Sequence, residues 1–218
     1  MIFEYYKIKD RARKGLLKHL KKVFSDVPLK ENPKILDIGC GTGVPTIWLA
    51  ENYGGTITAI DTDRDALECF KAKITEKGLE DQITLINISF FDFKVEPGSF
   101  DLVLAEGFLN VVGFREGFAR VIELIRKGGY FVIHDEYRDH EVKCKFMRQH
   151  GCVLTGSVLL DEKVWWTDYY EPLEQVISSS GQDSGKLDFK SDLKEIDLYK
   201  LDPLSFRSIY YVVMKQGS

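Results

Sequence analysis

The stretch Ile35-Leu36-Asp37-Ile38-Gly39-Cys40-Gly41-Thr42-Gly43 constrains this chain more than any other. An apolar run suited to a buried strand ends in a carboxylate and then in glycines at three alternate positions. A helical pattern begins at once, with Pro45 in its first turn, where proline is tolerated. Glycines let the backbone bend sharply and approach a ligand without a Cβ in the way, and a helix start presents unpaired N–H groups. Strand, glycine turn and helix in succession predict a ligand site.

The chain on either side continues the alternation. Residues 8–24 predict an amphipathic helix with a basic outer face. Then follow strand 35–38, helix 44–53, strand 56–61, helix 63–77, strand 83–88, strand 100–105, helix 114–126 stopping at Gly128-Gly129, and strand 130–133. Beyond Arg138 the rhythm loosens into a strand at 153–160, a helix at 162–177, a short helix at 191–201 and a final strand at 208–214. Residues 178–185, rich in serine and glycine, read as a flexible loop. Strands alternating with helices argue for a parallel sheet covered on both faces. Composition never shifts sharply enough to mark a second domain. The expectation is one domain over residues 1–218, with a helical lid at 1–30, a ligand-binding core at 33–135 and substrate-side elements with a closing β-hairpin at 138–218.

Composition then excludes some roles. With 44% hydrophobic and 29% charged residues, the 218-residue chain has the make-up of an ordinary globular protein. Its net charge of −4 gives no general attraction to nucleic acid. No apolar run approaches the roughly 20 residues that span a membrane, and the N-terminus lacks the layout of a secretory signal. Cys40, Cys69, Cys144 and Cys152 include no Cys-x-x-Cys pair, so reduced thiols in a cytoplasmic setting are expected, without disulfide or zinc. His140 and Cys144 stand four apart and share a helix face, but the set matches no familiar metal spacing.

Asp61 lies 22 residues after Gly39, close to the spacing of about 20 at which an acid meets ribose hydroxyls in nucleotide-binding βαβ units. Capping the following helix is its alternative role. Ser89 and Phe90 end the third strand on the same crevice and suit an adenine base by hydrogen bond and packing. Glu106, His134, Asp135 and Glu136 end the fourth and fifth strands and are candidate bases. Of these, His134 has the unperturbed pKa nearest neutrality. Trp165, Trp166, Tyr169 and Tyr170 either wall a substrate pocket or pack their helix on the sheet. Adjacent tryptophans diverge on a helix, so at most one of that pair faces a pocket. Tyr5 and Tyr6 reach inward if the first helix is a lid.

Taken in order, Ile35 to Gly43, Ala59-Ile60-Asp61, Ser99-Phe100-Asp101-Leu102-Val103 and Arg126-Lys127-Gly128-Gly129-Tyr130-Phe131-Val132-Ile133 resemble the motifs of class I S-adenosylmethionine-dependent methyltransferases acting on small molecules. The resemblance covers roughly residues 33 to 135. The segments from Glu106-Gly107 to Phe114, and from Val164 to Glu174, resemble a narrower subgroup. This implies a Rossmann-like, doubly wound, seven-stranded α/β sheet, mostly parallel, with helices on both faces and an antiparallel last strand. It further implies that Asp37 and the turn Gly39, Cys40, Gly41 and Gly43 hold the methionine part of S-adenosylmethionine. Asp61 with Thr62 would take the ribose, Ser89 and Phe90 the adenine, and Glu106 would touch cofactor or acceptor.

The spacing Gly-x-Gly-x-Gly differs from the Gly-x-Gly-x-x-Gly of pyrophosphate-binding dehydrogenase sites, and S-adenosylmethionine has no phosphate to bind. The implied reaction is in-line methyl transfer to a small-molecule acceptor, leaving S-adenosylhomocysteine. Glu106 and His134 are the catalytic candidates, and Tyr5, Trp165, Trp166 and Tyr169 the substrate-side ones. A macromolecular acceptor and a non-catalytic cofactor-binding module are the alternatives. The chain is expected to act as a monomer or homodimer.

Overall fold

The computed structural model describes residues 2–25, 27–179 and 188–217. Helix α1 (Ile2–Phe24) precedes β1 (Lys34–Ile38), α2 (Val44–Tyr53), β2 (Thr56–Asp61), α3 (Arg64–Lys77) and β3 (Ile83–Asn87). Then come β4 (Phe100–Glu106), α4 (Leu109–Val112), α5 (Phe114–Leu124), β5 (Ile125–Glu136), α6 (His140–Gln149) and β6 (Cys152–Leu160). Helices α7 (Glu162–Trp165), α8 (Glu171–Ser179) and α9 (Lys190–Leu201) lead to β7 (Ser208–Lys215).

One seven-stranded sheet has the order β3-β2-β1-β4-β5-β7-β6. Strands β1 to β5 pair in parallel, and β7 enters antiparallel between β5 and β6. The expected closing pair is therefore present, although a helical excursion joins its strands where a hairpin would have a tight turn. The central strands β1 and β4 are apolar on both faces because helices cover both. One face packs Leu20, Phe24, Leu49 and Phe70 from α1, α2 and α3. The other packs Phe118 and Met147 from α5 and α6 against Phe131. A third cluster joins Ile8 and Leu16 of α1 to Tyr170, Leu173 and Ile196.

Three expectations are corrected. Helix α1 starts at Ile2, six residues before the apolar periodicity becomes regular. Helix α5 ends at Leu124, and Gly128-Gly129, read as a helix stop, lies inside β5. A Cβ on Gly129 would sit 2.9 Å from the Asp101 carbonyl oxygen, so glycine there lets β5 run close against β4. The helix expected at 162–177 is interrupted by a π turn at Trp166–Tyr170, and α8 continues through Ser178 and Ser179. The remainder of the serine-glycine loop, residues 180–185, lies outside the described residues.

The π turn sits where α1 comes closest. A Cβ on Gly15 would lie 2.1 Å from the Asp168 carbonyl oxygen, so the two helices touch backbone to side-chain-free backbone. Lys18 and His19 each reach the Asp168 carboxylate at 2.7 Å. Burial raises the pKa of Asp168, but these two partners hold it below the usual carboxylate range. Among the described residues no helix is long and apolar enough to cross a membrane.

Candidate active site

The carboxyl ends of β1, β2 and β4 open into a cleft of about 290 Å³, roofed by α1. Asp37, Gly39, Cys40, Gly41, Asp61 and Glu106 form its floor, and Tyr6, Lys9, Asp10, Arg13 and Tyr169 close it from above. Gly39, Gly41 and Gly43 all have positive φ, which the tight turn requires. Nothing lies within 4 Å of a Cβ built on Gly41, whereas one on Gly43 would fall 2.1 Å from the Phe70 ring. Gly41 therefore leaves room in the cleft. Gly43 leaves room for the core and does not line the cleft.

The Asp61 carboxylate accepts the Gly41 N–H at 2.7 Å with one oxygen and the Asp63 N–H at 2.8 Å with the other. It thereby ties β2 to the glycine turn and keeps lone pairs for a ligand hydroxyl. The cap of α3 is Asp63, whose side chain accepts the Ala66 N–H, so the capping alternative for Asp61 falls away. Asp37 is buried and accepts the Thr46 hydroxyl at 2.5 Å. Burial first, and then the nearby Glu106 and Asp61 carboxylates, push its pKa up to about 7.

Ile38, Ile60, Thr62, Ser89, Phe90, Phe91 and Phe108 line a neighbouring, mostly apolar slot of about 300 Å³, which shares Gly39, Asp61 and Glu106 with the cleft. Phe90 is buried edge-on to Phe108, and the Ser89 hydroxyl accepts the Phe91 N–H at 3.3 Å. A flat aromatic base suits this slot.

On the other side, the ends of β4, β5 and β7 border a second cavity of about 280 Å³. His134, Asp135, Trp165, Tyr170, Phe206 and Ser208 line it, together with Arg13, Gly107 and Arg207. His134 is buried, stacked on Tyr210 with ring centroids 4.3 Å apart and on Trp165 at 5.7 Å. The Trp165 indole N–H donates to the Ser208 hydroxyl at 3.0 Å, and that hydroxyl shares a hydrogen bond with His134 Nε2 at 2.9 Å. Burial pushes the His134 pKa down to about 4. A neutral imidazole that resists protonation is a weak base.

Between the two cavities stands Glu106. Arg13 donates to one of its oxygens at 3.0 Å and the Tyr210 hydroxyl donates to the other. With both oxygens engaged, the geometry suits fixing charge at the boundary more than reaching for a proton. Burial, and then the Glu106 carboxylate, drive the Tyr210 pKa well above its ordinary value, so the phenol stays protonated.

The structure brings Asp37, Gly39, Cys40, Gly41, Asp61, Thr62, Ser89, Phe90 and Glu106 around the cleft and slot. It places Tyr169 in the cleft roof and Trp165 and His134 in the second cavity. Trp166 points elsewhere, stacked on Tyr199 with centroids 5.7 Å apart. Tyr5 donates to Asp192 and packs on Phe189, and Tyr6 lines the cleft in its place. Arg13, Asp10, Ser208, Tyr210 and Arg207 were not singled out by sequence. Alternation along β7, which puts Ser208 and Tyr210 on one face, was the one signal available.

S-adenosylmethionine is a demanding ligand to fit, with a cationic sulfonium, an ammonium, ribose hydroxyls and no phosphate. The cleft carries Asp10, Asp37, Asp61, Asp63 and Glu106 against Lys9 and Arg13. That acidic excess favours cations and hydroxyls and opposes a pyrophosphate, and the apolar slot adjoins Asp61. The residues fit this group.

Comparison with known proteins agrees. A family model described as a methyltransferase domain matches residues 29–176. A methyltransferase from Streptomyces halstedii, GfsG, is 29% identical over 47% of this chain and 37% of its own. The first three curated relatives are matched over only 32% to 59% of their lengths. Among solved structures, the 4+2 cyclase SpnF aligns with a TM-score of 0.78 at 13% identity, over 92% of this chain and 82% of that one. A Geobacter sulfurreducens S-adenosylmethionine-dependent methyltransferase in complex with S-adenosyl-L-homocysteine aligns at 0.70 and 15% identity, over 91% of both chains. By its sequence and its strand order alike, the chain belongs to the methyltransferase-domain family of the class I, S-adenosylmethionine-dependent type.

Proposed function

We propose that this protein transfers a methyl group from S-adenosylmethionine to a small-molecule acceptor. The observation that carries the reading is an acid-rich cleft on the glycine turn that meets a separate, aromatic-walled cavity at Arg13 and the Glu106-Gly107 strand end. Bound in the cleft, S-adenosylmethionine supplies a methyl already activated by its positive sulfur. Asp37 and the glycine turn would hold its methionine portion, Asp61 and Thr62 its ribose, and the Ser89-Phe90 slot its base. The chain's work is to exclude water and hold the acceptor in line with the carbon–sulfur bond, a positioning effect worth up to about 7–11 kcal/mol.

Glu106, pinned by Arg13 and Tyr210, would offer a fixed negative charge to a sulfonium held in the cleft. His134, a neutral ring, orients Trp165 by stacking on it and through the Ser208 hydroxyl. An acceptor whose nucleophile needs no strong base matches these two groups. Four buried free thiols suit a reducing cytoplasm.

Calorimetry of the full chain with S-adenosylmethionine and S-adenosylhomocysteine tests donor binding. A mass-spectrometric search of cell extract for products labelled from the methyl-deuterated donor tests transfer. Donor binding without any labelled product would favour a module that binds the cofactor without methyl transfer. Labelled RNA or protein would move the acceptor to a macromolecule.

A further inference from the structure

The second cavity carries charges on its wall, and most of them are already matched. Arg13 pairs with Glu106 at 3.0 Å, Arg138 with Glu136 at 3.2 Å, and one oxygen of Asp135 with Lys143 at 2.6 Å, while the other Asp135 oxygen is buried without a partner. Glu195 accepts the Tyr170 hydroxyl at 2.7 Å. Arg207 is different. Among the described residues no carboxylate pairs with it and no acceptor receives a hydrogen bond from its guanidinium. Its Nε is buried without a partner.

The guanidinium lies with its carbon 4.8 Å from the centre of the Tyr137 ring. Ring contact satisfies the face of a guanidinium, while the N–H donors lie in its plane and require oxygen at the edge. The residue is held firmly at the junction of two strands. Its backbone carbonyl accepts the Tyr137 N–H at 2.9 Å, and Ser208, the next residue, begins β7 opposite Glu136. A buried donor left unmatched costs stability and calls for a partner.

We infer that Arg207 is the anchor for an oxyanion on the acceptor, a carboxylate or a phosphate, with the methyl-accepting end directed toward Gly107. This rests on the reading of the second cavity as the acceptor site. Bidentate pairing with two oxygens is what an arginine edge provides and a lysine does not. Trp165, Tyr170 and Phe206 supply an apolar wall for the body of the acceptor, and Glu195 repels the anion from its own side of the cavity.

The test is a ligand-observed NMR titration of the full chain saturated with S-adenosylhomocysteine, using benzoate and its uncharged counterpart benzamide. Benzoate should bind at least about tenfold more tightly than benzamide. Arg207→Gln should erase that preference while homocysteine-product affinity stays unchanged, and Arg207→Lys should retain only part of it. Inorganic phosphate that displaces benzoate assigns the site to compact oxyanions, and phosphate that fails to displace it assigns the site to carboxylates on an apolar body. Equal binding of benzoate and benzamide, no binding of either, or an unchanged preference in Arg207→Gln would overturn the inference. If Arg207→Gln also loses S-adenosylhomocysteine, the wild-type chain decides the matter. Benzoate must then protect Arg207 from an arginine-selective dicarbonyl reagent, read by peptide mass spectrometry, and absence of protection refutes the site. Failure of S-adenosylhomocysteine itself to bind wild type would instead break the donor assignment, so the two failures are separable.

Discussion

The two halves of the site differ in how the chain builds them. The cleft proposed for the donor rests on strand ends in regular βα succession, and its floor comes from the short stretches 37–42, 61–63 and 106. The cavity proposed for the acceptor draws on α1, β5, the π turn, α9 and the segment just before β7, residues that converge from across the chain. Repetitive βα geometry aims every strand end at one crevice, so a local motif suffices there. Convergence from distant segments depends on packing, and each contributor can change without disturbing a motif. On the proposed function, the donor side is then the locally encoded half of the site and the acceptor side the half free to vary.

Titration offers the strongest way to break this division, because the halves respond oppositely to acid. His134 has its pKa lowered from 6.5 to about 4 by burial. Its contribution to stability is present above pH 6.5 and is lost as pH falls toward 4, by about 3 kcal/mol. Denaturant melts of His134→Gln at pH 7 and pH 4 should therefore show a smaller acid loss than wild type. An equal loss in both would mean that His134 is not held neutral by its surroundings.

Next in size is Asp61→Ala. Removing hydrogen bonds to a charged group should weaken S-adenosylhomocysteine by roughly 1.5–3 kcal/mol. Binding of a benzoate probe in the other cavity should be unaffected. Unchanged product affinity in a folded variant would displace the ribose from Asp61.

Asp37 sharpens the contrast with His134. Its folded pKa is raised from 3.8 to about 7, so its contribution to stability is full below pH 3.8 and is lost as pH rises through 7. Because a ligand ammonium favours the ionised carboxylate, S-adenosylhomocysteine affinity should fall below pH 7. The slope should reach at most about tenfold per pH unit. Calorimetry across pH should find that slope flattened in Asp37→Asn, and a parallel slope in the variant would remove Asp37 from the ammonium.

The smallest effect separates adjacent tryptophans. Trp166→Ala should cost about 0.5–1.5 kcal/mol of stability through its lost stack on Tyr199 while leaving benzoate binding intact. Trp165→Ala should weaken that binding, since Trp165 walls the cavity and holds Ser208. Identical behaviour of the two variants would refute the facing assigned to the π turn.

The sheet, its helices and the residues gathered at the cleft were legible because periodicity and turn chemistry encode them locally. Asp37, Gly41 and Asp61 sit where a strand must end. Gly43 shows the limit of such reading, since it belongs to the same glycine pattern and yet makes room for Phe70. Nothing in sequence distinguishes Arg13 from the other basic residues of α1, because only the packing of that helix turns it toward Glu106. Likewise, Gly128-Gly129 has the form of a helix stop, and the close approach of β5 to β4 decides otherwise. The π turn adds a residue to its helical turn, so helical spacing misplaces the aromatics from Trp166 onward.

Arg13 belongs to the walls of both cavities. A residue shared in this way makes donor and acceptor occupancy parts of one equilibrium. Whatever factor a bound donor imposes on acceptor affinity, the acceptor imposes back on the donor. A ligand that shifts Arg13 off Glu106 from either side changes the charge seen from the other. One side chain on the roof helix would then set how strongly each ligand favours or disfavours the other.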